Sequence, residues 1–335
     1  MSKKITVAVD AMGGDNSPEK VINGIIYHSK ISNNVFYNIF GDSDKINKFI
    51  SKNINKDFFK IINVKGEVKG SDSALSAAKK GNETSMWQAI DSVKNKESDI
   101  VVSAGNTGAL FVIAKLNLKM IENIDKPALS ALWPNKNGMS VVLDLGANIE
   151  CSPKNLFDFS LMGTALYRSL YSNIPKVALL NIGSEELKGN ETIKETFKLL
   201  NNKKTQDFNF SGYIEGNELM NGNVNVIVSD GFTGNVALKT AEGTANFITS
   251  ELKKALNGNL IGKISSLLNI SNLKKFKKRL DPRLYNGAIL LGLETPVIKS
   301  HGSTDYIGFA NSLDVCVKCK TINNNVTVNK TITIK

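Results

Sequence analysis

An open α/β sandwich, with a mostly parallel sheet covered by helices, is the fold this sequence predicts. Two observations lead there. Its short apolar runs are near-continuous rather than alternating, the pattern of strands buried on both faces. Helix-like stretches lie between the runs, and strand alternating with helix over this length builds a doubly wound sheet. The 335 residues are 41% hydrophobic, enough for a sizeable core. We therefore expect one α/β domain over residues 1–335, with a helical excursion at 247–282.

Ile5–Val9 ends at Asp10, Ala11, Met12, Gly13, Gly14 and Asp15. Val35–Phe40 ends at Gly41, and Ile100–Val102 at Ser103, Ala104, Gly105, Asn106, Thr107 and Gly108. Val141–Leu143 runs into Asp144, Leu145, Gly146, Ala147 and Asn148; Val177–Leu180 into Asn181, Ile182 and Gly183. Val224–Val228 ends at Ser229, Asp230, Gly231, Phe232, Thr233, Gly234 and Asn235. Helical spacing appears at about Ser73–Lys94, Ala109–Ile121, Leu156–Ser172, Thr192–Asn201 and Gly234–Ala255. Asp15, Asn16, Ser17, Pro18 and Glu19 read as a helix start, with Asp or Ser capping and Pro in the first turn.

The excursion has its own character. Ile248, Leu252, Leu256, Leu260, Ile264, Leu267 and Leu268 follow helical spacing, and Gly258 and Gly262 weaken it. Its end is basic: Lys274, Lys275, Lys277, Lys278 and Arg279. Thr321–Lys335 is β-branched and Asn-rich, a strand or a loose tail.

The net charge is +11, from 42 Lys+Arg against 31 Asp+Glu. That balance favours acidic partners such as phosphate, an acidic protein or an anionic lipid surface. It does not make a nucleic-acid protein, because no basic stripe is interleaved with aromatics. Three cysteines cannot build a disulfide framework, which points to a reducing compartment. Lys3 and Lys4 lead directly into the first strand, so no signal peptide is expected. No apolar run reaches the ~20 residues of a membrane helix.

Glycine at a strand-to-helix turn lets several N–H groups face one spot, and the following helix N-terminus adds positive potential. Phosphate is the natural occupant. The best such loop is 103–108, where Ser103, Asn106 and Thr107 add donors beside Gly105 and Gly108. Each glycine can instead serve the turn alone, but the set as a whole favours a shared anion site. No P-loop and no GxGxxG follows the first strand. That disfavours a nicotinamide dehydrogenase, as does the lack of a carboxylate cluster for metal.

The acid–base inventory is short. His28 lies on a helical stretch and reads as packed or surface. His301 sits in a loop between Lys299, Ser300, Gly302 and Ser303; catalysis and structural hydrogen bonding are both open to it. Lys188 is held in a polar loop before Gly189 and Asn190, where it can neutralise an oxyanion or simply be solvated. Cys151 lacks a nucleophile signature and reads as packed; Cys316 and Cys319 have redox-like spacing but no supporting ligands.

Together these segments resemble the PlsX family, the phosphate acyltransferases of bacterial phospholipid synthesis. The likeness rests on Asp10–Asp15, Ser103–Leu110, Leu143–Asn148, Lys188–Asn190, Asp230–Val236, Leu291–Leu293 and Lys299–Gly302, and covers the chain to about residue 305. The chain departs from the family at Lys126, Pro127 and Ala128, where Arg-Pro-Ala is usual, so the bidentate fork of Arg is lost. It also departs at Lys79–Met86, which is less basic, and after Asp305, where the family's final helix has no clear counterpart.

The resemblance implies transfer of an acyl group from acyl carrier protein to inorganic phosphate, by a single catalytic domain. It implies a Rossmann-like sheet similar to the isocitrate/isopropylmalate dehydrogenases, a homodimer, and no metal or organic cofactor. The product would pass to a membrane glycerol-3-phosphate acyltransferase. On this reading, Ser103, Gly105, Asn106, Thr107, Asp10, Gly13, Gly14 and Asn148 bind phosphate or substrate. Lys188 and Asn235 stabilise phosphate or the oxyanion. Asp230 positions Asn235 or a loop amide, and His301 protonates the leaving thiolate or orients phosphate. Leu260, Ile261, Leu267 and Leu268, with the basic run 274–279, would touch carrier protein or a membrane surface, or pack in a dimer. The protein would be cytoplasmic and peripherally membrane-associated. A non-catalytic membrane scaffold is the remaining alternative.

Overall fold

The computed structural model describes residues 4–50, 57–203, 205–258, 265 and 267–325. The first strands and helices are β1 (Ile5–Asp10), α1 (Glu19–Ser29), β2 (Val35–Gly41), α2 (Ser43–Asn47), β3 (Phe59–Asn63), α3 (Ala74–Lys80) and α4 (Ser85–Lys94). Then come β4 (Ile100–Ser103), α5 (Thr107–Asn117), β5 (Ala128–Asn135), β6 (Gly138–Leu143) and α6 (Pro153–Tyr171). The remainder is β7 (Lys176–Asn181), α7 (Glu191–Asn202), β8 (Asn209–Glu215), β9 (Val226–Val228), α8 (Gly231–Asn257), α9 (Ile270–Arg279), β10 (Ala288–Leu291), β11 (Val297–Lys299) and α10 (Tyr306–Asn325).

All the described strands join one sheet, ordered β3-β2-β1-β4-β11-β10-β5-β6-β9-β7-β8. Pairing is parallel except at β11–β10, β10–β5 and β5–β6. Three successive antiparallel pairings reverse the direction. The half holding β1, β4 and β11 therefore runs opposite to the half holding β6, β9 and β7. The α/β class matches the expectation, but the glycine-rich ends do not form one row. They fall into two groups, one for each half.

The buried strands alternate between two apolar layers, as period-two geometry requires. Val7 and Val9, Ile100 and Val102, and Val226 and Val228 enter one layer with Val21 and Ile25 of α1, Phe159 of α6, and Phe309 and Leu313 of α10. Ala8 and Val101 face Met86 and Ile90 of α4 and Ile113 of α5. Val142, Ala178 and Ile227, on the face away from Val226 and Val228, form a separate cluster with Leu238 of α8 packed on it.

Two further expectations are corrected. The stretch 73–94 is two helices, because Gly81 adopts φ +57° and Thr84 then accepts a bond from the Trp87 amide to cap α4. The segment after Asp305 is helix from Tyr306 to Asn325, so residues 321–325 of the expected strand or tail are helical. It packs on α1, where Gly24 leaves room for Phe309 and His28 reaches Asp314 at 3.0 Å. His28 is thus fully buried, and its other nitrogen bonds the Tyr37 hydroxyl. Cys316 and Cys319 are buried along the same helix. Leu260, Ile261 and residues 326–335 lie outside the described residues.

Candidate active site

The first group of strand ends is knitted around Asp10. Its buried carboxylate accepts from Ser85 Oγ and Ser103 Oγ, both at 2.6 Å, and from the Met12 amide at 3.3 Å. Burial raises the Asp10 pKa, and the Ser103 and Ser85 bonds oppose the rise. Ser103 Oγ also accepts from the Gly105 amide at 3.0 Å. The main chains then lock together: Ser300 N donates to Ser103 O, and Asp15 N to Gly302 O, each at 2.9 Å. Gly13 and Gly14 are needed for this closeness. A Cβ on Gly13 would stand 2.5 Å from the Gly105 nitrogen, and Gly14 holds φ +83° against Ala104 and Gly302.

This packing revises the expected anion loop. Ser103 is fully buried, with its hydroxyl donated to Asp10. Asn106 caps α5 through the Ala109 amide at 3.0 Å and gives its NH₂ to the Gly70 and Asp72 carbonyls. Asp10, Ser103, the Gly105 amide and Asn106 thus hold the frame rather than offer free donors. Thr107 is exposed at the start of α5.

What the frame surrounds is basic. Lys20 and Lys299 are buried, at 5% and 8% exposure, and each donates to one carbonyl, of Gly302 and Ser300 respectively. Burial, with the ammonium groups of Lys20 and Lys239 nearby, pulls Lys299 down to about 8. Burial likewise lowers Lys20. His301 faces out beside them, its Nε2 3.5 Å from Lys239 Nζ and its Nδ1 3.1 Å from Ser303 Oγ. Desolvation and then Lys239 lower its pKa, so it is neutral at pH 7. Asn286 fixes the turn by accepting from the His301 amide at 2.8 Å. Lys20 and Lys239 escaped the sequence reading and Lys299 entered only as part of a motif, because the burial of Lys20 and Lys299 and the approach of exposed Lys239 to His301 arise from tertiary closure.

The second group is built on Asp144 at the end of β6. Its buried carboxylate accepts from the amides of Leu129, Ala147 and Asn148 at 2.9, 3.0 and 2.7 Å, and from Asn148 Nδ2 at 2.8 Å. Asn148 Nδ2 also reaches Pro127 O at 2.7 Å, so this side chain is part of the frame. Asp230 caps α8 through the Thr233 amide and hydroxyl, both at 2.8 Å. Gly231 and Gly234 let the first turn of α8 sit on the 144–148 loop, and Asn235 lies exposed against Gly146.

Helix α8 joins the groups. Asn235 and Lys239 are one turn apart and share a face, and Lys239 reaches His301 of the other half. Lys188 sits elsewhere. It is exposed in the loop after β7, and the structure gives it no side-chain contact with Asn235 or His301. Strands β11 and β7 are five steps apart in the sheet order, roughly 24 Å along the sheet. Asn190, two residues on, lines a hollow of about 510 Å³ with Ile149, Cys151, Asp230 and Phe232. Burial pushes the Cys151 thiol up to about 11, so it is no nucleophile near neutrality.

The basic run of α9 is exposed, with Arg279 donating to Asn135 O at 3.2 Å. Leu267 and Leu268 are also exposed. Among the described residues, no helix is long and apolar enough to cross a membrane.

This mixed α/β sheet of opposed halves is shared with solved structures of differing activity. A phosphotransacetylase from Streptococcus pyogenes superposes with TM-score 0.62 at 15% identity, over 97% of this chain and 95% of that one. A putative 4-hydroxythreonine-4-phosphate dehydrogenase from Salmonella typhimurium gives 0.55 at 11%, over 95% and 100%. These likenesses establish the fold. The chain belongs to the fatty acid synthesis protein family, whose model matches residues 5–328. It is 72% identical over 324 residues to a phosphate acyltransferase of Pelagibacter ubique, covering 96% of this chain and 97% of the relative. The PlsX likeness seen in the motifs is borne out, and with it an acyltransferase that uses phosphate in fatty acid and phospholipid synthesis.

Proposed function

We propose that the acyl donor is acyl-[acyl carrier protein] and that inorganic phosphate attacks the thioester directly, with no covalent enzyme intermediate. One observation carries this reading: α8 places Asn235 on the Asp144 loop and, one turn later, Lys239 at His301. A side-chain amide that can meet an oxyanion and a cationic cluster are thereby held a helical turn apart.

In the step, a phosphate oxygen forms a bond to the carbonyl carbon and the carbonyl oxygen takes the negative charge. The Asn235 carboxamide meets that charge, and Lys188 stabilises the thioester end from the far rim. Collapse breaks the C–S bond, and the electron pair leaves on sulfur. The proton carried by the phosphate dianion ends on that sulfur. A neutral His301 can accept this proton and pass it on, which suits its lowered pKa better than service as a standing acid. Asp230 acts by fixing the first turn of α8, and Thr107 is the side chain of the 103–108 loop left open to substrate.

The protein is further read as a cytoplasmic homodimer at the membrane surface, handing acyl phosphate to a membrane glycerol-3-phosphate acyltransferase. The exposed Leu267, Leu268 and basic α9 support a contact with anionic headgroups or the acidic carrier. A dimer role for the same helices is the other outcome. Liposome flotation separates them: recovery that needs anionic lipid supports the surface role, and lipid-independent behaviour leaves the dimer. The reaction itself is tested by incubating purified protein with acyl carrier thioester and phosphate. Acyl phosphate detected by mass is the expected result; its absence, or an acylated enzyme, overturns the reading.

A further inference from the structure

Loops 10–15 and 103–108 carry the glycine pattern of an anion site, yet Ser103, the Gly105 amide and Asn106 have their hydrogen bonds committed within the frame. The unspent donors lie beside them. An ammonium has three N–H donors. Lys20 and Lys299 each spend one on a backbone carbonyl. Neither forms an ion pair with a carboxylate among the described residues, although Asp10 and Asp15 stand near.

These cations share one place. A Cβ on Gly14 would lie 2.8 Å from Lys20 Nζ and 2.9 Å from the Gly302 carbonyl, so the Lys20 head sits under the His301 turn. Lys299 begins that turn, and Lys239 closes it from α8. Of the acids in reach, Asp15 lies exposed at the rim near Lys20, and the other two are engaged elsewhere. Asp10 holds Ser85, Ser103 and Met12, and Glu242 pairs with Lys239 at 2.7 Å. Burying two ammonium groups side by side is costly unless a counter-charge joins them. Asp10 and Asp15 supply part of that counter-charge without a direct ion pair, and a small oxyanion can supply the rest through the unspent N–H donors. Asn235 is one turn along α8 from Lys239, next to where such an anion would rest.

Given the acyl-transfer reading above, we propose that the attacking phosphate is bound by Lys20 and Lys299, with Lys239 closing over it, rather than by the side chains of the 103–108 loop. Gly14 and Gly302 bring these heads together, and His301 borders the bound ion. Phosphate then approaches the thioester carbon from the side of the Asn235 turn.

Steady-state kinetics of Lys20→Met and Lys299→Met tests the assignment. The KM for inorganic phosphate should rise by about tenfold or more, the loss of one charged hydrogen bond, while the KM for the acyl carrier thioester stays within about twofold. Equal effects on both substrates, or an unchanged phosphate KM, overturn it. A second measurement uses the unaltered chain, labelled with ¹⁵N at lysine Nζ and titrated with inorganic phosphate. The Lys299 midpoint should move upward on saturation; a fixed midpoint also overturns the assignment. The two readings fail separately. Acyl phosphate made with a phosphate affinity indifferent to Lys20 and Lys299 removes this site and keeps the reaction. Phosphate binding at Lys299 without acyl phosphate formation keeps the site and removes the reaction.

Discussion

Gly231→Ala should loosen the joint on which Asn235 depends. The glycine opens α8 with its amide 2.8 Å from the Asn148 carbonyl. A Cβ there would stand 2.5 Å from that carbonyl oxygen, 2.9 Å from Asp144 Oδ2 and 3.0 Å from the Asn148 amide. Ordinary contact begins near 3.4 Å, so the helix must lift by about 0.9 Å. None of the three neighbours can swing away, since Asp144 and the 146–148 turn are tied by four hydrogen bonds. Overpacking of this kind costs ~1–3 kcal/mol. A displacement near 1 Å at a positioning element costs ~100-fold in rate. Gly243→Ala is the control, on the same helix with open space around it. There the better helix propensity of Ala should add ~1 kcal/mol. Urea unfolding and kcat/KM for acyl phosphate formation measure both variants. Equal stability and activity in the pair would refute the claim that close seating of α8 sets the site.

Other outcomes follow from the same geometry. Lys188→Ala should lower kcat/KM for the acyl carrier thioester by about tenfold, the scale of one lost charged hydrogen bond, and an unchanged value would remove Lys188 from the thioester end. Asp144→Ala strands the buried amides of Leu129 and Asn148 and the half-buried amide of Ala147. At ~1–3 kcal/mol each, it should forfeit about 4 kcal/mol or more in a denaturant melt. For Lys299, the folded pKa of about 8 lies below 10.5, so its charge opposes folding. That penalty, roughly 3 kcal/mol, is fully present below pH 8 and fades as pH climbs to 10.5. Lys299→Met should therefore be more stable than the parent at pH 7 in phosphate-free buffer, with the gap closing toward pH 10.5; melts across pH check this. Phosphate KM should rise above pH 8 as Lys299 loses its proton, with Lys20, Lys239, His301, Asp10 and Glu242 as the charged or titratable neighbours.

The glycine-rich strand ends were legible because close backbone approach requires Gly13, Gly14, Gly105, Gly231 and Gly234 wherever their loops end up. Strand direction was not. Nothing local in Ala128–Asn135 or Ala288–Leu291 says that these strands run against their neighbours, and that reversal splits the loops into two groups. Ser103 and Asn106 looked like ligand donors because a capping side chain and a phosphate-binding one have the same chemistry. Only the partner's position tells them apart. Lys20 reads as an ordinary first-turn lysine until the His301 loop, 282 residues later, closes over it. The last turns of the final helix, residues 321–325, were hidden by the Asn-rich, β-branched composition of the stretch they open, while the helix is anchored earlier by Phe309 and Asp314 against α1.

With the carboxylates of Asp10 and Asp144 pinning their turns, little in this molecule has to be rearranged when reactants come together. Its dipoles stand aligned in the resting state, so reorganisation at the moment of bond exchange is small. The cost is borne while idle, as neighbouring like charges held apart from water, and the arriving nucleophile is also what relieves it.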